Sequence, residues 1–411
     1  MPFSKPYDEN GNRQRLADLR AHGVDVWGAE RVYVDSDVKL RNIEPGSSIQ
    51  NATLQGSDLY IGKDSQIGAS GHAFIENCQI GRNVTLGAGS YRKATILDDS
   101  RIRDFAEIRP GTLLEEQVEI AHSVALKNSI LTATVVTGSL INYCDIFMSG
   151  GTSRKQHSEV GSGVVHFNFD PRGDKWSSLF GDVRGVLLRT SPIFIGGQCG
   201  LVGPVHIEFG TVIAAGSVVR RGSTRVPPLD KSPDSQIIGD FDPAIYGKLS
   251  HKIDITARLI GNLWALDTWY RTVRIPYASD HQRPLYEAAC KQLKIHIDER
   301  IKRISTVIEK LHHSIEKSSA SKNKTLVSCQ AEHHTLINNH HSLIKILTQV
   351  ADGVPVPQEF IRAYESARNS TNSHLEAICA VPDPQAEQAA RWLHNLANGY
   401  VSRVDNLLTN T

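Results

Sequence analysis

Arg109 and Lys127 stand eighteen residues apart, in "IRPGTLL" and "VALKNSIL". In a fold that stacks a repeat of that length, two such cations project from one face at successive levels and can grip a phosphate. Without stacking they are two solvated side chains. Proton transfer near neutral pH calls for an imidazole, and two histidines fall close to these cations in the chain. His157 lies in the polar stretch "SRKQHSEVG", where Arg154 and Lys155 would draw phosphate and lower a histidine's pKa. His166 precedes Asn168 in "HFNFD". An ordinary hydrogen-bonded histidine is the bland alternative for each, and the polar setting favours His157 as the base. His122, His157, His166 and His206 are zinc ligands by type, yet their spacing reproduces no paired ligand motif, so no metal site is expected. His312, His313, His333, His334, His340 and His341 fall on expected helices, where adjacent side chains cannot face one ion.

The elements that would position these groups follow from a six-residue period. Ile195, Leu201, Ile207, Ile213 and Val219 are six apart, and so are Ile102, Ile108, Leu114, Ile120 and Leu126. Ile61 with Ile67, Ile80 with Leu86, and Ile96 with Ile102 repeat the step. Neither a strand period of two nor a helix period near 3.6 gives this register. A chain that turns a corner every six residues does, and small residues after the aliphatics, as in "IGGQCGLVG", suit tight corners. Three hexads to a coil give a left-handed parallel β-helix, an exception to right-handed crossovers.

The hexad phase breaks over 143–159 and 169–192, which are expected to loop out of the prism and supply a binding face. Residues 1–30 are expected to cap the first coil, with a short helix ending at Gly23. The β-helix is expected over 31–225, a Pro- and Ser-bearing linker over 226–242, and an α-helical domain over 243–411. Within that domain Leu293, Ile297, Ile301, Ile304, Ile308, Leu311 and Ile315 alternate steps of four and three, one apolar stripe of a bundle or coiled coil. Further helices are expected over 331–351, 356–380 and 384–408, with a flexible connection at 317–325. Trp264, Trp269 and Tyr270 read as core, with a face left for the prism or a protein partner.

Composition narrows the classes. The 411 residues carry 45 Lys and Arg against 44 Asp and Glu, a balance that points to neither nucleic acid nor a membrane surface. No run of eighteen apolar residues and no signal-peptide core occurs. The 6 cysteines form no CxxC and read as free thiols of a cytoplasmic protein.

From about Ile102 to Val219 the chain resembles the acetyltransferase half of the bacterial bifunctional glucosamine-1-phosphate acetyltransferase and N-acetylglucosamine-1-phosphate uridyltransferase. That family has an Arg-Pro-Gly corner, a Lys one coil later, an Ile-Gly-Ala-Gly turn leading to Asn-Tyr-Asp-Gly, and a run ending in Ile-Ala-Ala-Gly. Here stand "IRPG", Lys127, "VGSGVVHFNFDPRGDK" and "VIAAG". The resemblance implies a homotrimer with sites between neighbouring prisms. It implies that Arg109 and Lys127 hold the phosphate of a sugar phosphate or nucleotide sugar, with Asn168 and Asp170 facing the sugar. Lys175 matches a sugar-binding Lys if the loop takes one extra residue. Acetyl-CoA or another acyl-CoA would run along Ser162, Gly197 and Ala215, whose other reading is simply tight corners.

Three departures bear on activity. Ser139 fills the position of the family's general-base His and Asn142 that of a substrate-contacting Tyr; Phe169 also replaces a Tyr. A hydroxyl is no base near neutral pH, which is why His157 and His166 are weighed for that role. The region before Ile61 is too short for a nucleotidyltransferase domain, so uridyltransferase activity is not expected. The first functional expectation is an acyl-CoA-dependent transferase acting on a phosphorylated amino sugar or nucleotide sugar. The second is a non-catalytic sugar-nucleotide sensor or scaffold that kept the clamp and lost the base.

Overall fold

In the computed structural model, residues 9–220, 242–319, 327–350 and 354–409 are described. The hexads build a parallel β-solenoid of triangular section. Face one is a ten-stranded sheet running from Asp25–Val26 to Val212–Ile213, one short strand per coil. Faces two and three merge into a single sheet because Ala125–Leu131 and Asn142–Met148 pass through the corner between them unbroken. The aliphatic at each sixth position points into the prism: Ile195, Leu201, Ile207, Ile213 and Val219 are all at most 8 % exposed. Register then follows from stacking like on like, with Ile102 over Ile120 and Ile195 over Ile213.

Helix α1 (Glu9–Ala21) closes the first coil. Leu16 and Leu19 enter the prism core, and the Asn12 amide bridges the backbone of Val32 and Val34 at 2.9 Å each. The helix ends at Gly23, whose φ of 86° supplies the left-handed stop.

The two phase breaks are shorter than the sequence pattern indicated. Residues 142–148 are a continuous strand in register with Ala125–Leu131, and the chain leaves the prism only afterwards, in a hairpin of Gly151–Ser153 against Gln156–His157. Within 169–192, Ser178–Phe180 returns to face three, leaving two separate excursions. The hexad rule misses both strands because their outward positions are also apolar. Most of the expected linker, together with 320–325 of the expected connection, lies outside the described residues.

Seven helices follow among the described residues: α2 (Ser250–Trp269), α3 (Gln282–Ser319), α4 (Gln330–Asn338), α5 (His340–Thr348), α6 (Gln358–Arg368), α7 (His374–Ala380) and α8 (Asp383–Thr409). Two of the helices expected as continuous are split, at Asn339 and over 369–373. Trp264, Trp269 and Tyr270 are core as expected, and the α3 stripe packs inward from Leu293 to Leu311. This bundle lies along face three. Leu97, Leu113, Ile130, Phe147 and Leu179 point outward from that face and share one buried cluster with Leu259, Leu263, Leu285 and Leu293. Burial of outward apolar residues is the main driving force for the docking.

Ion pairs fix both borders of the docked face. A π turn at Tyr270–Arg274 extends α2 and carries Arg274, 1 % exposed, onto the corner between faces three and one, where it pairs with Glu115 and Glu116. The rings of Tyr286 and Tyr270 lie 4.1 and 4.6 Å from its guanidinium carbon. At the corner between faces two and three, Arg300 of α3 pairs with Asp145 at 2.7 Å.

Candidate functional site

The Arg109 and Lys127 spacing becomes a column on face two. Ile108 pairs with Leu126 and Lys127 with Cys144, so Arg109, Lys127 and Cys144 succeed one another outward while Ile108, Leu126 and Tyr143 fill the core. Arg109 Nη2 donates to Cys144 Sγ at 3.4 Å. In the next coil Phe167 continues the column, 45 % exposed. Lys175 reaches the same place through a short loop closed by a bridge between Phe169 and Lys175. Burial raises the pKa of the Cys144 thiol, and the charges of Arg109, Lys127 and Lys175 oppose that rise. Arg109 and Lys127, the pair expected to hold phosphate, thus stack beside one thiol, with Lys175, expected at the sugar, in the loop of the next coil.

The backbone beneath this column is held from below. Asp145 turns the corner at φ 63° and Asn128 at φ 46°, a conformation in which short polar residues are favoured after glycine. Asp145 Oδ1 accepts from Asn128 Nδ2 at 3.0 Å and from Arg300 Nη2 at 2.7 Å, and Asp145 also accepts from the Asn168 amide. Arg300 Nη1 donates to Ser177 Oγ at 2.8 Å. Burial raises the Asp145 pKa, but Arg300 and the amides outweigh it and hold the carboxylate ionised. Gly111 N donates to Gln292 Oε1 of α3 at 3.1 Å, and a Cβ at Gly111 would meet Asn128 Oδ1 at 2.2 Å. Helix α3 therefore forms the rear wall of the cation column, a role that no motif in the sequence reveals.

The remaining expected site residues separate. Asn168 is 9 % exposed and spends its amide on Asp145. Asp170 lies 3.4 Å from Lys252 Nζ of α2 and 3.7 Å from Arg172, so both residues brace the loop from within this chain. His166 points into the prism, with Nδ1 at 2.7 Å from the Cys144 carbonyl and Nε2 at 2.7 Å from Ser178 Oγ. Burial pushes its pKa down to about 4. With both ring nitrogens engaged inside the core, His166 is not placed to take a proton from a substrate, contrary to the expectation that it stands beside the cleft.

His157 also sits away from the column. The hairpin that carries it folds onto face one, where Arg154 pairs with Glu119 at 2.6 Å and donates to the Gln117 carbonyl. His157 Nδ1 lies 2.8 Å from the Arg154 carbonyl and Nε2 3.6 Å from Glu159. Nearness in the chain to the cations does not become nearness in space within one protomer.

The corner between faces one and two holds what the sequence analysis passed over. Ser139 Oγ is 2.9 Å from His122 Nδ1, which lies one coil below it on the exposed surface. An imidazole thus stands beside the position that lacks one. The signal was available, since His122 precedes Ser139 by about one coil. The same corner continues through Ser162, Gly197 and Ala215. Ser139 N donates to Ser162 Oγ at 3.1 Å, and Gln198 N to the Ser162 carbonyl at 2.8 Å. A Cβ at Gly161 would meet Gly197 N at 2.5 Å, and one at Gly196 would meet Ala215 N at 2.4 Å. The small residues form a continuous strip that close stacking requires.

Parallel hexad coils with small corner residues place the chain in the class of hexapeptide-repeat β-solenoids. No family model matches it. Within that class it is similar to the bifunctional protein GlmU: the one from Trichlorobacter lovleyi is 28 % identical over 221 residues, 53 % of this chain and 42 % of that protein. Those from Thermotoga petrophila and Syntrophomonas wolfei are 27 % and 30 % identical over 224 residues, 54 % of this chain and 44 % of theirs. The chain thus spans less than half the length of these relatives, and the likeness falls on their acetyltransferase half.

Proposed function

We propose that the protein is an acyl-CoA-dependent transferase that acylates a phosphorylated amino sugar or nucleotide sugar. The observation that carries this reading is the stacking of Arg109 and Lys127 in successive coils beside Cys144, within a solenoid similar to the acetyltransferase half of GlmU. Arg109 and Lys127 would bind the phosphate, with Lys175 facing the sugar. The strip through Ser162, Gly197 and Ala215 would accept the amide-bearing arm of acetyl-CoA or another acyl-CoA, because the absence of bulky side chains lets that arm approach the backbone.

The amine of the sugar attacks the thioester carbonyl, the C–S bond breaks, and CoA leaves as the thiolate. A serine next to an imidazole can relay what it cannot abstract alone. Ser139 takes the amine proton as it passes its own to His122 Nδ1, and the proton returns to the thiolate. His157, the base expected from sequence, would serve only if a neighbouring protomer brought its hairpin to the column.

Among the described residues the helical domain docks on face three, and we place the contacts of a homotrimer on faces one and two, with the clamp at their subunit boundary. Light scattering tests the trimer. No helix among the described residues is long and apolar enough to cross a membrane; we place the protein in the cytoplasm, where its 6 cysteines would stay reduced. The helical domain braces the clamp through Gln292 and Arg300 of α3, and its outer surface is open to a protein partner.

The test is calorimetric titration with acetyl-CoA, glucosamine-1-phosphate and UDP-N-acetylglucosamine, followed by assay of thiol release. Binding of acetyl-CoA and a sugar phosphate with turnover sustains the transferase. Sugar-nucleotide binding without acetyl-CoA binding gives the second reading, a sensor or scaffold, which Ser139 at the base position favours.

A further inference from the structure

A second site lies on the other side of the docked face. Where the last coils meet α2 and α8, a cavity of about 320 Å³ opens between the domains, within the range of ligand pockets. Asp182, Arg184, His206 and Glu208 of the solenoid face Arg258 of α2 and His394 of α8 across it. None of these belongs to the cation column.

Hydrogen-bond accounting shows what the cavity lacks. Arg258 spends Nε on Asp254 at 3.0 Å, and its two terminal nitrogens have no partner among the described residues. Arg184 directs Nε and Nη2 at Asp182, which leaves Nη1. The Asn398 amide lies 2.7 Å from His394 Nε2; an amide N–H can only donate, so the ring proton is on Nδ1 and is a further donor. His206 projects outward from its strand while Ile207 fills the core, and its ring has no hydrogen-bond partner among the described residues. Asn262 is already satisfied at both ends, by Val183 N and the Arg258 carbonyl, at 2.8 Å each. Asp182 and Asp254 are engaged by their arginines, and among the described residues lining the cavity Glu208 and the Asn398 side-chain oxygen remain to accept. Burial and the Arg258 charge lower the His206 pKa against the opposing charges of Glu208, Asp182 and Asp254, and burial with Arg184 and Arg258 lowers that of His394 against Asp182; the imidazoles face charges of both signs.

We propose that this seam is a second ligand site, for a small hydroxylated phosphate of the sugar phosphate kind. Its oxyanion is bound by Arg258, His206 and the free nitrogen of Arg184, and its hydroxyls donate to Glu208. Because the donors come from both domains, occupancy pins α2 and α8 to the last coils. The site stands independently of acyl transfer.

Titration of the full chain with glucosamine-1-phosphate, with inorganic phosphate as the simpler probe, tests it. The expected result for wild type is two sites. R258Q, whose side chain is partly exposed on α2, should weaken one of them at least tenfold and leave the other, and H206Q should weaken the same one. K127A should remove only the site that R258Q keeps. Unchanged isotherms in both R258Q and H206Q, with circular dichroism showing folded protein, overturn the seam site. An unchanged isotherm in K127A overturns the clamp and leaves the seam standing. No binding of either probe by wild type at millimolar concentration overturns both.

Discussion

Lys127 carries more of the functional reading than any other residue, because it is the middle cation of the column and its neighbour Asn128 ties it to Asp145. K127A should weaken glucosamine-1-phosphate binding at the clamp at least tenfold, about 1.4 kcal/mol, with acetyl-CoA affinity unchanged, both read by calorimetry. Loss of acetyl-CoA binding as well would mean a structural rather than a phosphate-binding role. The assignment of the proton acceptor is tested by a pair of variants. H122A should reduce turnover about a hundredfold or more, the scale of general-base catalysis, while H157A leaves it within threefold. The reverse order would return the base to His157 and require the hairpin of a neighbouring protomer. The cation spacing was legible in the sequence because a solenoid of three hexads to a coil converts a separation of eighteen into stacking. For His122 only the one-coil step to Ser139 was legible, since the hexad rule places it at a corner without saying what the next corner presents. His157 misled because an excursion from a coil can fold onto any face, and Arg154 bound to Glu119 takes this one to face one.

At the scale of elements, the hexads disclosed the prism and the heptad-like stripe disclosed α3, yet the docking of one on the other went unread. Its trace was present: Leu113-Leu114, Ile130-Leu131 and Phe147-Met148 set two apolar residues side by side, where a one-sided strand alternates. Those pairs mean that face three is buried on both sides. The corner ion pair then fixes where α3 sits. Arg300 and Asp145 are each at most 3 % exposed at the side chain, and removing one partner strands the other charge. R300M should therefore lower the free energy of unfolding in urea by about 3–5 kcal/mol. Adding D145N removes the stranded charge while keeping a residue that tolerates the left-handed corner, and should restore at least about 1 kcal/mol of that loss. A double variant no more stable than R300M would show that the cost comes from packing and not from charge. If α3 is the rear wall of the clamp, R300M should also loosen glucosamine-1-phosphate binding under conditions where the protein is still folded.

Over the whole molecule, three buried histidines fold uncharged: one in the prism, one on α3 and one inside the helical bundle. Burial lowers the pKa of His166 to about 4 and that of His296 to about 3, and holds His374 well below its ordinary value. The unfolded chain takes up protons at these sites near pH 6.5 and the folded chain does not. Their contribution is thus complete above pH 6.5 and is lost as the pH falls toward the folded values, by up to about 1.4 kcal/mol per pH unit for each. Glu116 works the other way. Burial raises its pKa to about 7, so its contribution is greatest below about pH 4.5 and is lost as pH rises toward 7, offsetting one histidine of the three. Net stability should therefore fall between pH 6.5 and 5. His296 isolates the effect, because neither ring nitrogen has a hydrogen-bond partner and an apolar residue forfeits nothing there. H296L should match wild type in urea at pH 7 or exceed it by about 1 kcal/mol. Its stability should also decline less steeply on acidification, by about 1.4 kcal/mol per unit between pH 6 and 5. A slope identical to that of wild type would mean that His296 is already protonated in the folded protein, and that the interface between α3 and the clamp holds a charge that Asp145 alone must balance.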